Sequence, residues 1–234
     1  MMLTIIVVLV VSGALILGAA WGIYGRLSSK WEGFLIALVG GALIVSLINE
    51  LIEPSIKETH IAIAMAAVAA GAIVFTVLDY WIDKKWGDDS GGGLLAAITL
   101  DGVPENLALG VALIGAGITE VAALAGSIFL SNLPEAAGGA KEMSKKDHSK
   151  SKILGLWAGA AALLSVAAII GNVALEGVSP HILAITRCFA AGAVVASLAT
   201  EVFPKAYKED HHMAGIATAL GVVLAYFLSN LGGG

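Results

Sequence analysis

Eight long apolar runs, separated by short charged or glycine-rich segments, constrain the fold of this chain most. A helix that crosses the hydrocarbon core of a bilayer needs about 20 predominantly apolar residues, and each run is long enough. The runs cover residues 3–25, 32–52, 60–82, 93–116, 119–141, 153–175, 181–204 and 212–231. Hydrophobic residues make up 58% of the chain and charged residues 13%, which is not a soluble composition. The sequence therefore predicts an all-α, polytopic membrane protein with eight transmembrane helices.

An internal repeat organises these eight spans. A shift of 151 residues, the difference between Glu50 and Glu201, lays segment 41–50 over segment 192–201 with matching small, apolar and acidic positions. Spans one to three therefore correspond to spans six to eight, and the copies run in opposite directions because five spans separate each pair. Such inverted repeats are typical of secondary transporters. We predict one membrane domain in a 3+2+3 arrangement: residues 1–92, a central pair at 93–141, a loop at 142–152, and the inverted repeat at 153–234.

The basic residues predict the orientation of the bundle. Nearly all of them lie in or beside the loops that follow spans one, three, five and seven, whereas Lys57 and Arg187 lie on the opposite side. The positive-inside rule places the lysine-rich loops in the cytoplasm. We expect a multi-pass protein of the cell (plasma or inner) membrane with both termini extracytoplasmic. The basic segment 141–152, which includes His148, serves either as a positive-inside anchor or as a metal-sensing or docking loop.

Two short stretches inside apolar spans carry the chemistry. Asp101 and Glu105 lie four residues apart around Pro104, and Ser131, Asn132 and Glu135 lie on one side of a helix around Pro134. Proline cannot donate its backbone hydrogen bond, so each stretch exposes a carbonyl oxygen beside a carboxylate. Ionisable groups at membrane depth are usually functional. We predict one oxygen-rich cation site, with carboxylates that merely bond neighbouring helices as the alternative.

At these residues the chain resembles the Zrt- and Irt-like (ZIP) divalent-metal transporters, whose fourth and fifth spans carry His-Asn-x-Pro-Glu-Gly-type motifs. The Pro-Glu pairs match, while Asp101 replaces the histidine and Gly102 replaces the first asparagine. The resemblance implies a divalent metal permease with Asp101, Glu105, Asn132 and Glu135 as ligands, together with Ser131. It favours zinc as the transported substrate, but an all-oxygen ligand set also suits manganese or iron(II).

Two further acids lie near the ends of the repeated spans. Glu50, with the neighbouring Asn49, is predicted near the outer mouth and Glu201 near the inner mouth. They form either a pathway or gate for cations, or interfacial acids in water. In the second interpretation, both helices end there, at Glu53 and Pro54 in one and at Pro204 in the other.

Small residues predict where helices pack closely. Gly18 and Gly22 in the first span, and Gly155 and Gly159 in the sixth, form the small-xxx-small pattern of tightly packed membrane helices.

Other classes of function fit the sequence less well. An intramembrane metal-dependent hydrolase would need imidazole ligands or a nucleophile beside a base, and spans four and five contain no histidine. A proton-coupled carrier of another small solute could use the same carboxylates. We expect no enzyme activity, no cofactor and no nucleic-acid partner. The expected partners are the metal ion and the lipid bilayer, and the sequence allows a homodimer.

Overall fold

The computed structural model describes residues 2–26, 28–86, 91–116 and 118–231, and every regular element in these ranges is helical. The α-helices are α1 (Met2–Tyr24), α2 (Ser29–Leu47), α3 (Glu53–Glu58), α4 (Ile61–Trp86), α5 (Gly91–Ala112), α6 (Ile118–Lys145), α7 (Lys150–Ala174), α8 (Pro180–Ser197), α9 (Phe203–Glu209) and α10 (Ala214–Leu231). Two π-helical segments join α2 to α3 (Ile48–Ile52) and α8 to α9 (Leu198–Val202). Each apolar run thus falls on one continuous helix, and the all-α prediction is confirmed.

Five of these helices are long and apolar enough to cross a membrane: Thr4–Tyr24, Ser29–Glu58, Ile61–Trp81, Lys150–Ala174 and Pro180–Glu209. A sixth apolar helix, Ala214–Ser229, is shorter. Large apolar side chains such as Leu17, Ile73 and Val223 point out of the bundle and are exposed. An outward apolar surface of this kind is stable in lipid, so the chain is a membrane-embedded helical protein.

Serine caps begin three of the long helices. The side chain of Ser28 accepts a hydrogen bond from the backbone N–H of Trp31, and Ser149 and Ser179 accept from Lys152 and Ile182 in the same way. Each cap satisfies one of the four N–H groups that a helix leaves without an internal partner. These serines therefore define the starts of α2, α7 and α8.

The predicted helix ends at Glu53, Pro54 and Pro204 are wrong. The second helix continues through Pro54 to Glu58, and its repeat continues through Pro204 to Glu209. In each, a backbone N–H reaches back five residues instead of four, from Glu53 to the carbonyl of Ile48 and from Phe203 to that of Leu198. This shift places each proline in the first turn of the next α-helical segment, where a missing N–H costs little.

The helices associate in four main pairs. α1 packs against α6, α5 against α7, α2 against α10, and α4 against α8. Glycines allow the last two pairs to approach closely, because an added Cβ would overlap a carbonyl oxygen of the partner helix. The glycine–carbonyl contacts are Gly41 with Thr218, Gly221 with Leu38, Gly192 with Val68, and Gly71 with Phe189. The α2–α10 and α4–α8 contacts thus have the same reciprocal form.

The two small-xxx-small patterns behave differently. Gly18 and Gly22 on α1 lie against the carbonyl oxygens of Leu133 and Ala137 on α6, as predicted for close packing. The prediction is wrong for Gly155 and Gly159, because no described heavy atom lies within 4 Å of a Cβ built at either residue. Both lie on the exposed face of α7.

Candidate metal centre

The two Pro-Glu stretches lie on α5 and α6, and both helices continue through their prolines. Glu105 is buried, with 5% of its surface exposed, and Glu135 is partly exposed. The two carboxylates lie near enough to each other for electrostatic repulsion between them. Two acids from different helices therefore share one region inside the bundle, which is the geometry that a cation between them would stabilise.

The other α6 residues of the predicted site are also buried. Ser131 is 7% exposed and Asn132 is 2% exposed. The side-chain nitrogen of Asn132 donates to the carbonyl oxygen of Val11 on α1, with a nitrogen–oxygen distance of 3.3 Å. An ion at this site would use the oxygen at the other end of the Asn132 amide, because a carbonyl binds only the nitrogen end.

A serine pair ties α6 to α2 one turn before Ser131. The hydroxyl oxygens of Ser127 and Ser46 lie 3.2 Å apart and are both buried. Together with the bond from Asn132 to Val11, this contact fixes α6 against two neighbours beside the predicted ligands. The α6 ligands thus lie on a helix that is held on two sides.

Asp101 lies in α5, and its side chain falls outside the described part of the structure. Among the side chains that are described, no three histidine, cysteine, aspartate or glutamate residues form a group that could hold a metal ion. The described part of the site therefore offers two carboxylates, with hydroxyl, amide and backbone oxygens to complete a coordination shell. The role of Asp101 stays a prediction.

Glu50 and Glu201 occupy equivalent positions in the two π-helical segments. Both side chains are partly exposed. The side-chain nitrogen of Asn49 donates to the hydroxyl of Ser229 on α10 at 2.8 Å, so Asn49 links two packed helices. π-helical turns are rare and frequent at functional sites, but a pathway role and an interfacial role for the two acids both stay predictions.

Glu32 is a buried acid that the sequence did not single out. Its residue is 6% exposed, and its carboxylate lies against the backbone of Gly138 on α6, one turn beyond Glu135. A carboxylate oxygen lies 3.9 Å from the Nζ of Lys141. In the sequence, an acid in the first turn of a helix indicates only a favourable contact with the helix dipole. The burial of Glu32 depends on the neighbouring helix α6, which a local sequence pattern does not reveal.

Lys205 on α9 connects this acid to the central pair. It interacts electrostatically with both Glu135 and Glu32. Lys205 therefore lies near both Glu135 and Glu32, and Glu32 also pairs with Lys141 at the start of the lysine-rich segment.

Polar side chains of three helices hold the C-terminal end of α5. Arg187 donates to the carbonyl oxygens of Val111 and Ile114 at 3.4 and 3.2 Å. Asn172 on α7 donates to the carbonyl oxygen of Gly110 at 3.0 Å and accepts from Thr4 on α1 at 3.4 Å. These bonds give side-chain partners to the carbonyls of Gly110 and Ile114, and a second partner to that of Val111, which also accepts from the backbone N–H of Ile114. They fix the helix that carries Glu105.

No protein-family model matches this chain, and no curated protein matches it. The class of protein rests on the fold: an all-helical, membrane-embedded bundle with paired carboxylates inside it.

Proposed function

We propose that this protein is a divalent metal-ion permease that moves zinc, manganese or iron(II) towards the cytoplasm. The observation that carries the proposal is the placement of Glu105 and Glu135 on two contacting helices, α5 and α6, inside the helical bundle. A charged side chain at membrane depth costs about 2.5–3.5 kcal/mol on insertion scales, and two like charges close together cost more. A divalent cation between the two carboxylates neutralises both charges and offsets this cost. A purely structural role for the pair does not offset it.

The ligand set proposed for the ion consists of oxygens. Glu105 and Glu135 supply charge, and Ser131 and Asn132 supply neutral oxygens from the buried face of α6. Asp101 is proposed as a third carboxylate, four residues before Glu105. Oxygen ligands favour hard or borderline divalent ions, so manganese and iron(II) fit the set as well as zinc.

The helix pairing supports a 3+2+3 arrangement of eight spans with inverted repeats. An inverted repeat relates α2 to α8 and α4 to α10, so it requires the α2–α10 contact to resemble the α8–α4 contact. Both contacts bring glycines against carbonyl oxygens at matched positions. The second helix of each repeat, α2 or α8, continues into a π-helical turn that contains an acid. The inverted repeat also relates the α1–α6 pair to the α7–α5 pair, and both pairs are in contact.

The proposed route continues from Glu135 past Lys205 to Glu32. Lysines beside an exit would repel cations, so they must move or exchange partners when an ion passes, and the ion pair of Lys141 with Glu32 provides such a partner. The positive-inside rule assigns this end to the cytoplasm. We therefore propose a plasma-membrane or inner-membrane protein with both termini outside.

Metal uptake by proteoliposomes tests the proposal. Wild-type protein should accumulate manganese or zinc from the outside, and Glu105→Gln and Glu135→Gln should each abolish uptake, because an amide keeps the shape of the ligand and removes its charge. The matched control is Glu142→Gln, an exposed acid on the same helix as Glu135, which should transport normally. Normal uptake by both core variants would refute the proposal.

A proton-coupled carrier of another small solute is the second candidate, because carboxylates inside a membrane-embedded bundle also serve as proton relays. The same liposomes distinguish the two functions. A carrier for another solute would show proton movement without metal and no accumulation of any divalent ion.

A further inference from the structure

Asn106 on α5 is completely buried, with 0% of its surface exposed. Its side-chain nitrogen donates to the carbonyl oxygen of Gly102 at 2.9 Å. Its side-chain oxygen Oδ1 is buried too, and within the described part of the chain no donor reaches it. Because a carbonyl oxygen can only accept, the nitrogen end of the amide must face Gly102, and the oxygen must take the other end.

A buried amide oxygen without a hydrogen bond is unusual. Most buried polar atoms in proteins have a partner, and each exception needs an explanation, such as a catalytic role or a bound ion. Asn172, the buried asparagine of α7, illustrates the ordinary case, since both ends of its amide are bonded. Asn106 therefore differs from an asparagine that only joins helices.

Asn106 directly follows Glu105 in α5, so its amide belongs to the same helical turn as this predicted ligand. Helical side chains lean towards the N-terminus of their helix, and the bond to Gly102 holds this amide along the turn 102–106. That turn contains Pro104 and Glu105. Gly102 carries no side chain and packs closely against Leu164 of α7. The amide of Asn106 thus lies over Gly102, a residue of α5 that has no side chain.

We propose that Asn106 Oδ1 is an additional ligand for the transported divalent cation. A neutral oxygen raises the number of ligands without adding to the repulsion between Glu105 and Glu135. Manganese prefers about six oxygen ligands, whereas zinc is usually satisfied by four. Asn106 therefore determines selectivity: it favours manganese over zinc at this site. This inference rests on the proposed function.

Metal affinities of purified variants, measured by titration with manganese alone and zinc alone, test the role of Asn106. Asn106→Leu should weaken manganese binding by about tenfold or more and zinc binding by less, while thermal stability should stay equal to that of wild type or rise. The matched control Ser55→Ala removes a different buried polar group, whose hydroxyl donates to the carbonyl oxygen of Leu51, and should keep both affinities.

A second variant keeps the test decisive if Asn106→Leu does not fold. Asn106→Ala removes the same amide oxygen with a small side chain, so manganese should bind more weakly than to wild type and zinc should change less. Unchanged affinities in the folded Asn106 variants, together with loss of binding in Glu105→Gln, would overturn this inference and leave the proposed function standing. Absence of metal binding in wild type would overturn both.

Discussion

The close contact between α1 and α6 predicts the effect of one added methyl group. In Gly22→Ala, the new Cβ would overlap the carbonyl oxygen of Ala137 and lie 2.9 Å from the carbonyl carbon. The helices must separate by at least about 0.6 Å to restore a carbon–carbon contact of about 3.5 Å, and a gap of that size forfeits about a quarter of each neighbouring dispersion contact. The contacted atoms are backbone, so no side-chain rotation can relieve the overlap.

The same substitution at Gly159 is the control. Nothing described lies within 4 Å of a Cβ there, so Gly159→Ala should stabilise the protein by about 0.5–1 kcal/mol through helix propensity alone. Gly22→Ala gains the same helix propensity, but its added methyl group overpacks the contact between α1 and α6, which costs about 1–3 kcal/mol. We therefore expect Gly22→Ala to be about 1–3 kcal/mol less stable than Gly159→Ala.

Reversible unfolding in detergent micelles measures the difference. The free energy of unfolding should fall in Gly22→Ala and rise slightly in Gly159→Ala. Metal uptake should also fall in Gly22→Ala, because Ala137 lies two residues after Glu135 and moves with it. If Gly22→Ala proves as stable as Gly159→Ala, the close packing of α1 on α6 is refuted.

Three further predictions follow from the charged residues and the orientation. Lys141→Met should lower the free energy of unfolding by about 1 kcal/mol more than Lys145→Met, because it removes the ion pair of the buried Glu32 carboxylate and leaves Lys205 as the neighbouring cation; equal stabilities would mean that the pair contributes nothing. In a Cys188→Ser background, an impermeant thiol reagent outside cells should label Glu176→Cys but not Ser144→Cys, and the reverse would invert the proposed orientation. Asp101→His should shift competition in favour of zinc over manganese because imidazole is softer than carboxylate, and unchanged selectivity would remove Asp101 from the ligand set.

The apolar runs were sufficient to predict every long helix, because in a bilayer each buried backbone group must be bonded within its own segment. Glu105 and Glu135 could be chosen for a similar reason: an acid next to a proline inside an apolar run is too costly to be incidental. Hydropathy could not locate the π-helical turns, because both π turns depend on a local shift in hydrogen bonding around Pro54 and Pro204. The sequence indicates that a proline is present, but not whether the helix stops or adapts.

Contacts between helices were decided only by the tertiary structure. Gly18 and Gly22 carry the same spacing as Gly155 and Gly159, yet among the described residues only the first pair has another helix against it. A spacing along one helix defines a face but contains no information about what that face meets. Glu32 became a buried acid for the same reason, since Gly138 of α6 leaves room for its carboxylate. The sequence by itself determined which segments form long apolar helices, and the packing of those helices decided which of their polar groups are buried together.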